Sequence, residues 1–202
     1  MNARAIPLLV AALYLAANPQ EFDVTDGKIE KTAGGRFQVR SSEMRATLKT
    51  QTPQKITVNF TLSGFTKNIS KQADGTVRHQ FGLKLRAQDS CNLIYVMWHF
   101  DKNNNGIAVS VKSNPGQATS GQCGDRGYIN GISARVFAAA PVVRVDEPHR
   151  LTAGVDGLDL TVTADGTVVW QGRLPEVAGT FNGPVGFRSD NAHVVFDYKT
   201  GD

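Results

Sequence analysis

The sequence has only two cysteines in 202 residues, and they are not spaced as C-x-x-C. With no histidine cluster beside them, that argues against a zinc site or a dithiol redox centre. No apolar run is long enough to cross a bilayer as a helix; the longest, Ala5 to Ala17, has thirteen residues. No basic run or basic–aromatic motif is present to argue for nucleic acid. No E-x-D-x-x-E-type stretch lies on a strand, and most Asp and Glu fall in turns. The paired carboxylates of a glycoside hydrolase are therefore missing. No Gly-x-Ser-x-Gly turn supports a Ser–His–Asp triad. Nothing has the composition of a disordered tail, and no repeat, linker or second domain stands out.

What is present begins with a leader. Met1 to Arg4 is short and basic, and the apolar run behind it is broken only by Pro7. This predicts a signal peptide over residues 1–17, with Ala17 before the cut; a buried helix or a retained anchor is the other reading. Export places the remaining domain, residues 18–202, in the periplasm or outside the cell. In an oxidising space an even pair of cysteines usually bridges. A structural disulfide Cys91–Cys123 is therefore expected, tying the turn before a central strand to the Gly-rich loop around Gly121–Gly127. The net charge of +4, from 22 Lys and Arg against 18 Asp and Glu, suits an anionic partner without demanding one.

The chain reads as short alternating strands. From Val77 to Ser113 three consecutive antiparallel strands are predicted. In the first, His79, Phe81, Leu83 and Leu85 share one face, and Arg78, Gln80, Lys84 and Arg86 the other. The second, Asn92 to Phe100, has an apolar face of Ile94, Val96, Trp98 and Phe100 and a mixed face carrying Tyr95 and His99. The third follows the polar turn 101–106 and carries Ser110 and Lys112. Upstream, Arg36–Arg40, Met44–Leu48 and Ile56–Ser63 alternate. Asn114 to Gly131 is a long Gly-rich segment, and Ile132–Ala140 is either a short strand or a helical turn. His149–Val155, Leu158–Ala164 and Thr167–Trp170, joined at Asp156-Gly157 and Asp165-Gly166, form a β-meander. Gly183–Arg188 and His193–Tyr198 close the chain as a pair of strands. So many strands with almost no helix make an all-β, two-sheet antiparallel sandwich.

The last third carries a family pattern. It reads His149-Arg150-Leu151, Leu158-x-Leu160-x-Val162-x-Ala164-Asp165-Gly166-x-x-Val169-Trp170-x-Gly172, Gly183-Pro184-Val185-Gly186-Phe187-Arg188-Ser189 and Val194-x-Phe196-Asp197. This resembles the concanavalin A-like (laminin G-like) jelly rolls, clearly over about fifty residues and elsewhere by strand pattern. The resemblance implies a convex and a concave sheet, with glycans bound on the concave face or its rim. Members include lectins, glycan-binding modules, glycoside hydrolases and polysaccharide lyases, so the motifs specify architecture rather than activity.

Three readings of the polar face follow. In the first, Arg78, Gln80, Lys84, Arg86, Tyr95, His99, Ser110 and Lys112, with Arg126 or Tyr128 from the Gly121–Tyr128 loop, bind a glycan. Hydrogen-bonding side chains, an aromatic platform and cations for acidic sugars are the mixture this needs. In the second, the domain is a lyase cleaving an acidic polysaccharide by β-elimination. Arg78 and Gln80 would neutralise a uronate carboxylate, and Tyr95 or His99 would move the proton. The Arg-Ser-Glu-Leu-Arg and Gln-Ile-His signatures of alginate-lyase-like families are absent as such. Arg40-Ser41-Ser42-Glu43-Met44-Arg45 and Arg78-His79-Gln80 echo them, but adjacent His79 and Gln80 point to opposite faces. In the third, the domain is structural or adhesive and its polar face merely solvated. Separately, Asp101, Asn103 and Asn105 with Gly106 match the first half of a calcium loop, although Lys112 stands where such loops place Glu. An Asn-rich hairpin turn explains the same residues.

Overall fold

The computed structural model describes residues 21–72 and 75–201; the leader expected over residues 1–17 lies outside them. In chain order the strands are β1 (Phe22–Asp26), β2 (Glu30–Lys31), β3 (Phe37–Val39), β4 (Glu43–Leu48), β5 (Lys55–Phe65), β6 (Gln80–Leu85), β7 (Leu93–Asp101) and β8 (Asn104–Lys112). A one-turn helix α1 (Ser120–Cys123) follows, then β9 (Tyr128–Ile129), β10 (Ala134–Phe137), β11 (Pro148–Asp156), β12 (Asp159–Ala164), β13 (Thr167–Arg173), β14 (Gly186–Asp190) and β15 (Ala192–Thr200). They build two antiparallel sheets. One has seven strands in the order β1-β4-β14-β6-β7-β8-β9, and the other eight in the order β10-β13-β12-β11-β5-β15-β3-β2. This is the all-β jelly-roll sandwich that the alternation predicts. No helix among the described residues is long and apolar enough to cross a membrane.

Alternation explains the core. Ile56, Val58, Phe60 and Leu62 of β5 face Phe81, Leu83, Ile94, Val96 and Trp98 of the opposing sheet, all at most 1% exposed. Phe60 touches Phe81, Trp98 and Phe100, and Phe187 touches Phe196, so rings from both sheets interlock across the interior.

The three-strand stretch forms as expected, with β6, β7 and β8 adjacent. So does the meander β11-β12-β13. Its second hairpin turns on Asp165-Gly166, both at positive φ, as a two-residue loop of that composition requires. The first turns one residue later than expected, on Gly157-Leu158, because Asp156 pairs with Asp159. The undecided segment at 132–140 is a strand, β10, paired with β13 at the sheet edge.

The two closing strands follow each other in sequence but do not pair. β14 inserts between β4 and β6 of the seven-stranded sheet, while β15 lies between β5 and β3 of the other. A single residue, Asn191, makes the crossing at φ +54. Its amide donates to the carbonyls of Ser70 and Arg78 at 2.8 and 2.9 Å and accepts from Ser70 N at 2.8 Å. Asparagine tolerates the left-handed conformation, and these bonds satisfy a side chain with no exposed surface.

The disulfide Cys91–Cys123 is formed, with Cα atoms 5.9 Å apart. It fastens the segment 113–127, containing α1, to the start of β7. Closing a loop across 32 positions predicts that the Cys91→Ser, Cys123→Ser protein unfolds with about 3–4 kcal/mol less free energy than the oxidised protein. Urea titrations of the two check this, and an unchanged midpoint would remove the disulfide from the stability argument.

Candidate functional site

The outward face of the seven-stranded sheet can be read as rows across the ladders. One row runs Thr47, Gly186, Lys84, Tyr95, Ser110; the next Arg45, Arg188, Gly82, Met97, Ala108; the third Glu43, Asp190, Gln80, His99, Gly106. These side chains alternate with the core residues already described, so the sheet pleat alone brings residues from five strands onto one surface. Two glycines shape it. Gly82 lies opposite Arg188 and Gly186 opposite Lys84. A Cβ on Gly82 would collide with Val96 O, and one on Gly186 with Ala46 O. Any larger residue would therefore push the strands apart.

Two adjoining depressions open on this face, of about 370 and 480 Å3, sharing Gln72, Tyr95, Asp125, Tyr128 and Arg188 in their linings. The segment after β5 and the disulfide-tied loop before β9 flank them. The larger depression collects Arg78, Gln80, Tyr95, His99 and Ser110, and the smaller Lys84, Tyr95 and Lys112. Seven of the nine residues expected to bind ligand are thus brought together.

The other two are not. Arg86 sits at φ +46 just past the end of β6, which breaks the pleat that would have turned it outward. Its guanidinium instead donates to Gly157 O at 2.6 Å and Ala178 O at 3.0 Å. Arg126 folds back on its own loop, donating to Gln122 O and Cys123 O. The calcium-like turn also uses its groups locally. Asp101 pairs with Asn104, making Lys102-Asn103 a two-residue hairpin loop, and the Asp101 carboxylate accepts from His79 N and joins His79 Nδ1 at 2.6 Å. Asn105 donates from the core side to Ala140 O and Pro141 O. Asp101 and Asn105 thus hold different partners within the fold.

The electrostatic centre of the face was not anticipated from sequence. Arg45 and Arg188 are direct cross-strand neighbours. Such a pair repels, and one carboxylate holds it: Asp190 Oδ1 lies 2.6 Å from Arg45 Nη2, and Oδ2 lies 2.8 Å from Arg188 Nε. Gln80 donates to the same Oδ2. Asp190 is 0% exposed and Arg188 5%. Burial alone would raise the Asp190 pKa, but Arg188, Arg45 and the Gln80 bond outweigh it and hold the carboxyl below its ordinary value. Burial would likewise lower Arg188, and Asp190 holds it up. The rest of the Arg188 guanidinium reaches Tyr128 OH and Gln72 Oε1 at 3.3 Å and lies 5.0 Å above the Tyr95 ring. Arg45 alternates outward in a legible strand, and Arg188 lies beside inward Phe187 in the closing motif. Those signals give each residue's face, but not that β14 sits between β4 and β6.

The neighbouring groups are tuned differently. Tyr95 stacks on Tyr128 with ring centres 6.1 Å apart, and burial pushes its phenol up to about 12. His99 is pushed down, first by burial and then by Arg78. Its Nδ1 accepts from Asn104 Nδ2 at 2.9 Å, which leaves the proton of the neutral ring on Nε2. Lys112 Nζ donates to Gly124 O and lies 5.2 Å from the Tyr128 ring, so it also pins the loop. Lys84, 3% exposed, has no hydrogen-bond or ion-pair partner among the described residues. Burial and the charges of Arg45, Arg188 and Lys112 lower it to about 8.

The fold is that of a concanavalin A-like jelly roll. No protein-family model matches the chain, and no curated protein sequence matches it. Solved structures do. The carbohydrate-binding module CBM66 from Bacillus subtilis superposes with a TM-score of 0.59, covering 88% of this chain and 92% of its own, at 14% identity. A structure reported with endo-acting O-glycanases that human gut bacteria express to initiate mucin breakdown gives 0.59, covering 92% of each chain, at 9% identity. A variant of the carbohydrate recognition domain of Emp46p gives 0.52, covering 90% of this chain and 87% of its own, at 14% identity. At these identities the likeness establishes the fold alone.

Two stability predictions follow from the charges. Asp190→Asn leaves the buried Arg188 guanidinium without its carboxylate and Arg45 with Glu43 alone, and is expected to destabilise by about 3–5 kcal/mol, measured by urea unfolding. Lys84→Met removes a buried charge while keeping an apolar stem. The folded chain gives up the Lys84 proton near pH 8, and the unfolded chain keeps it to about 10.5. The cost of burying the ammonium is therefore fully present at neutral pH and is relieved as pH rises from about 8 towards 10.5. The variant is expected to exceed the parent in stability at pH 7, by on the order of a few kcal/mol, and to lose that advantage by pH 10. A constant difference across this range would show that Lys84 carries no depressed pKa.

Proposed function

We propose that this chain is an exported carbohydrate-binding domain that receives a glycan across the two depressions on its seven-stranded sheet. The observation that carries the reading is the lining of the larger depression. Arg78, the Nε2–H of His99 and the Ser110 hydroxyl stand beside apolar Met97 and the Tyr95–Tyr128 stack. Hydroxyl-rich ligands with apolar C–H faces are bound by that mixture of oriented donors and ring surface. The glycan-binding neighbours CBM66 and the Emp46p domain support it through the shared fold. The Cys91–Cys123 bridge and the sequence's leader support an oxidising compartment.

Binding is favoured over elimination by the states of the two proton carriers. A lyase needs a base ready near neutral pH. Tyr95 is held as the phenol, His99 carries its proton on the nitrogen left free by Asn104, and Gln80 is committed to Asp190. All three serve as donors or supports.

The test is a panel of neutral and acidic oligosaccharides measured by calorimetry, with ultraviolet absorbance followed for unsaturated uronate. Binding without an absorbance rise is expected, weakened about tenfold or more in Arg78→Ala, His99→Ala. A rise abolished by Tyr95→Phe would replace this reading with the lyase. Failure to bind any member would leave the structural or adhesive reading.

A further inference from the structure

The smaller depression holds a feature that neutral sugar binding leaves unused. Lys84 is on an interior strand of the sheet, flanked by β14 and β7, with almost no exposed surface. A buried ammonium normally carries a carboxylate or several carbonyl acceptors. The nearby cations have theirs: Arg45 and Arg188 share Asp190, and Lys112 has Gly124 O. Lys84 has none among the described residues, and it lines the cavity of about 370 Å3 together with those same three cations.

We propose that Lys84 is the recognition point for an oxyanion substituent of the bound glycan, a uronate carboxylate or a sulfate ester. The proposal rests on the glycan reading and gives it a ligand class. The position of Lys84 is built for such a contact. Gly186 across the ladder contributes no side chain, and the Ala46–Thr47 backbone packs where its Cβ would stand. Tyr95 on its other side supplies a ring already stacked on Tyr128. The acids that share this lining are Asp26, Glu43 and Asp125; Asp89, whose charge also acts on Lys84, is bonded to Cys91 N and Asn92. Glu43 is joined to Arg45 and Ser70. Repulsion among Lys84, Arg45, Arg188 and Lys112 is a standing cost that an incoming anion would relieve.

A lysine presents one compact charge rather than a planar fork, so it recognises an oxyanion without selecting its geometry. Carboxylate and sulfate are therefore both admitted, and the assay separates them. The cleft would then have two chemical halves: hydroxyl recognition at Arg78, His99 and Ser110, and charge recognition at Lys84. A glycan bearing an anionic group on some residues and free hydroxyls on others would use both.

The experiment compares the parent protein, Lys84→Met and Arg173→Gln. The last removes one positive charge from the other sheet, where the Arg173 side chain pairs with Glu176. Each is titrated with alginate oligosaccharides, sulfated carrageenan oligosaccharides and neutral laminarin oligosaccharides. Thermal shift in sodium sulfate is measured against sodium chloride of equal ionic strength. The expected result is that Lys84→Met loses about tenfold or more affinity for the anionic sugars that bind the parent, keeps its affinity for neutral ones, and loses sulfate-specific stabilisation. Arg173→Gln behaves as the parent does. Preference for alginate or carrageenan identifies the natural oxyanion. Equal affinity of parent and Lys84→Met for the anionic sugars overturns the proposal and leaves glycan binding intact. If no sugar binds but sulfate stabilises the parent and not Lys84→Met, the anion site stands and the glycan reading falls. If sulfate also makes no difference, both fall.

Discussion

The carboxylate of Asp190 lies between two guanidinium groups with no exposed surface of its own, and the outward face of the seven-stranded sheet depends on it. The β4–β14 ladder puts Arg45 and Arg188 directly opposite each other, a pairing that repels wherever water is excluded. One shared anion turns that liability into a fixed plate of donors. Gln80 adds a third arm, so β4, β14 and β6 are tied at a single point. The plate in turn orients the rings of Tyr95 and Tyr128 through Arg188. A surface set in this way before a ligand arrives has little side-chain freedom to lose when one binds.

The arrangement also divides the cleft chemically. Around Arg78, His99 and Ser110 the groups are neutral donors or a cation near solvent. Around Lys84 they are buried positive charges. The flanking loop bridges the two parts. It is fixed by the disulfide at one end, by Lys112 at Gly124, and by Asn114, whose amide donates to Cys91 O and Arg126 O. Its Gly-rich composition therefore reflects a shaped wall rather than slack chain.

Much of this was legible in the sequence wherever the information was local. Period-two alternation revealed the inward and outward faces of β6, β7 and β8, hence seven of the nine expected ligand residues. Asp165-Gly166 marked its hairpin because a two-residue loop demands positive φ at both positions. Legibility failed where pairing is non-local or the pleat is interrupted. Arg86 has the right parity, but a left-handed residue at the strand end carries it off the face. Arg188 and Asp190 have the right parity too, but nothing near them announces that β4 and β6 are their neighbours. Gly183–Arg188 and His193–Tyr198 read as a closing pair of strands, yet the one residue between β14 and β15 is a corner from sheet to sheet. The centre of the site is thus the part the sequence conceals most.

That corner has a consequence for how ligand binding would be felt by the whole protein. β14 lies between strands that precede it by roughly a hundred residues or more, and Asn191 joins it without slack to the middle of the opposite sheet. Releasing β14 from the floor of the cleft thus disturbs strands of both sheets. An occupant's free energy would therefore be added to global unfolding rather than to a local opening. It would appear as slowed hydrogen exchange in the deepest amides of both sheets, including strands it never touches.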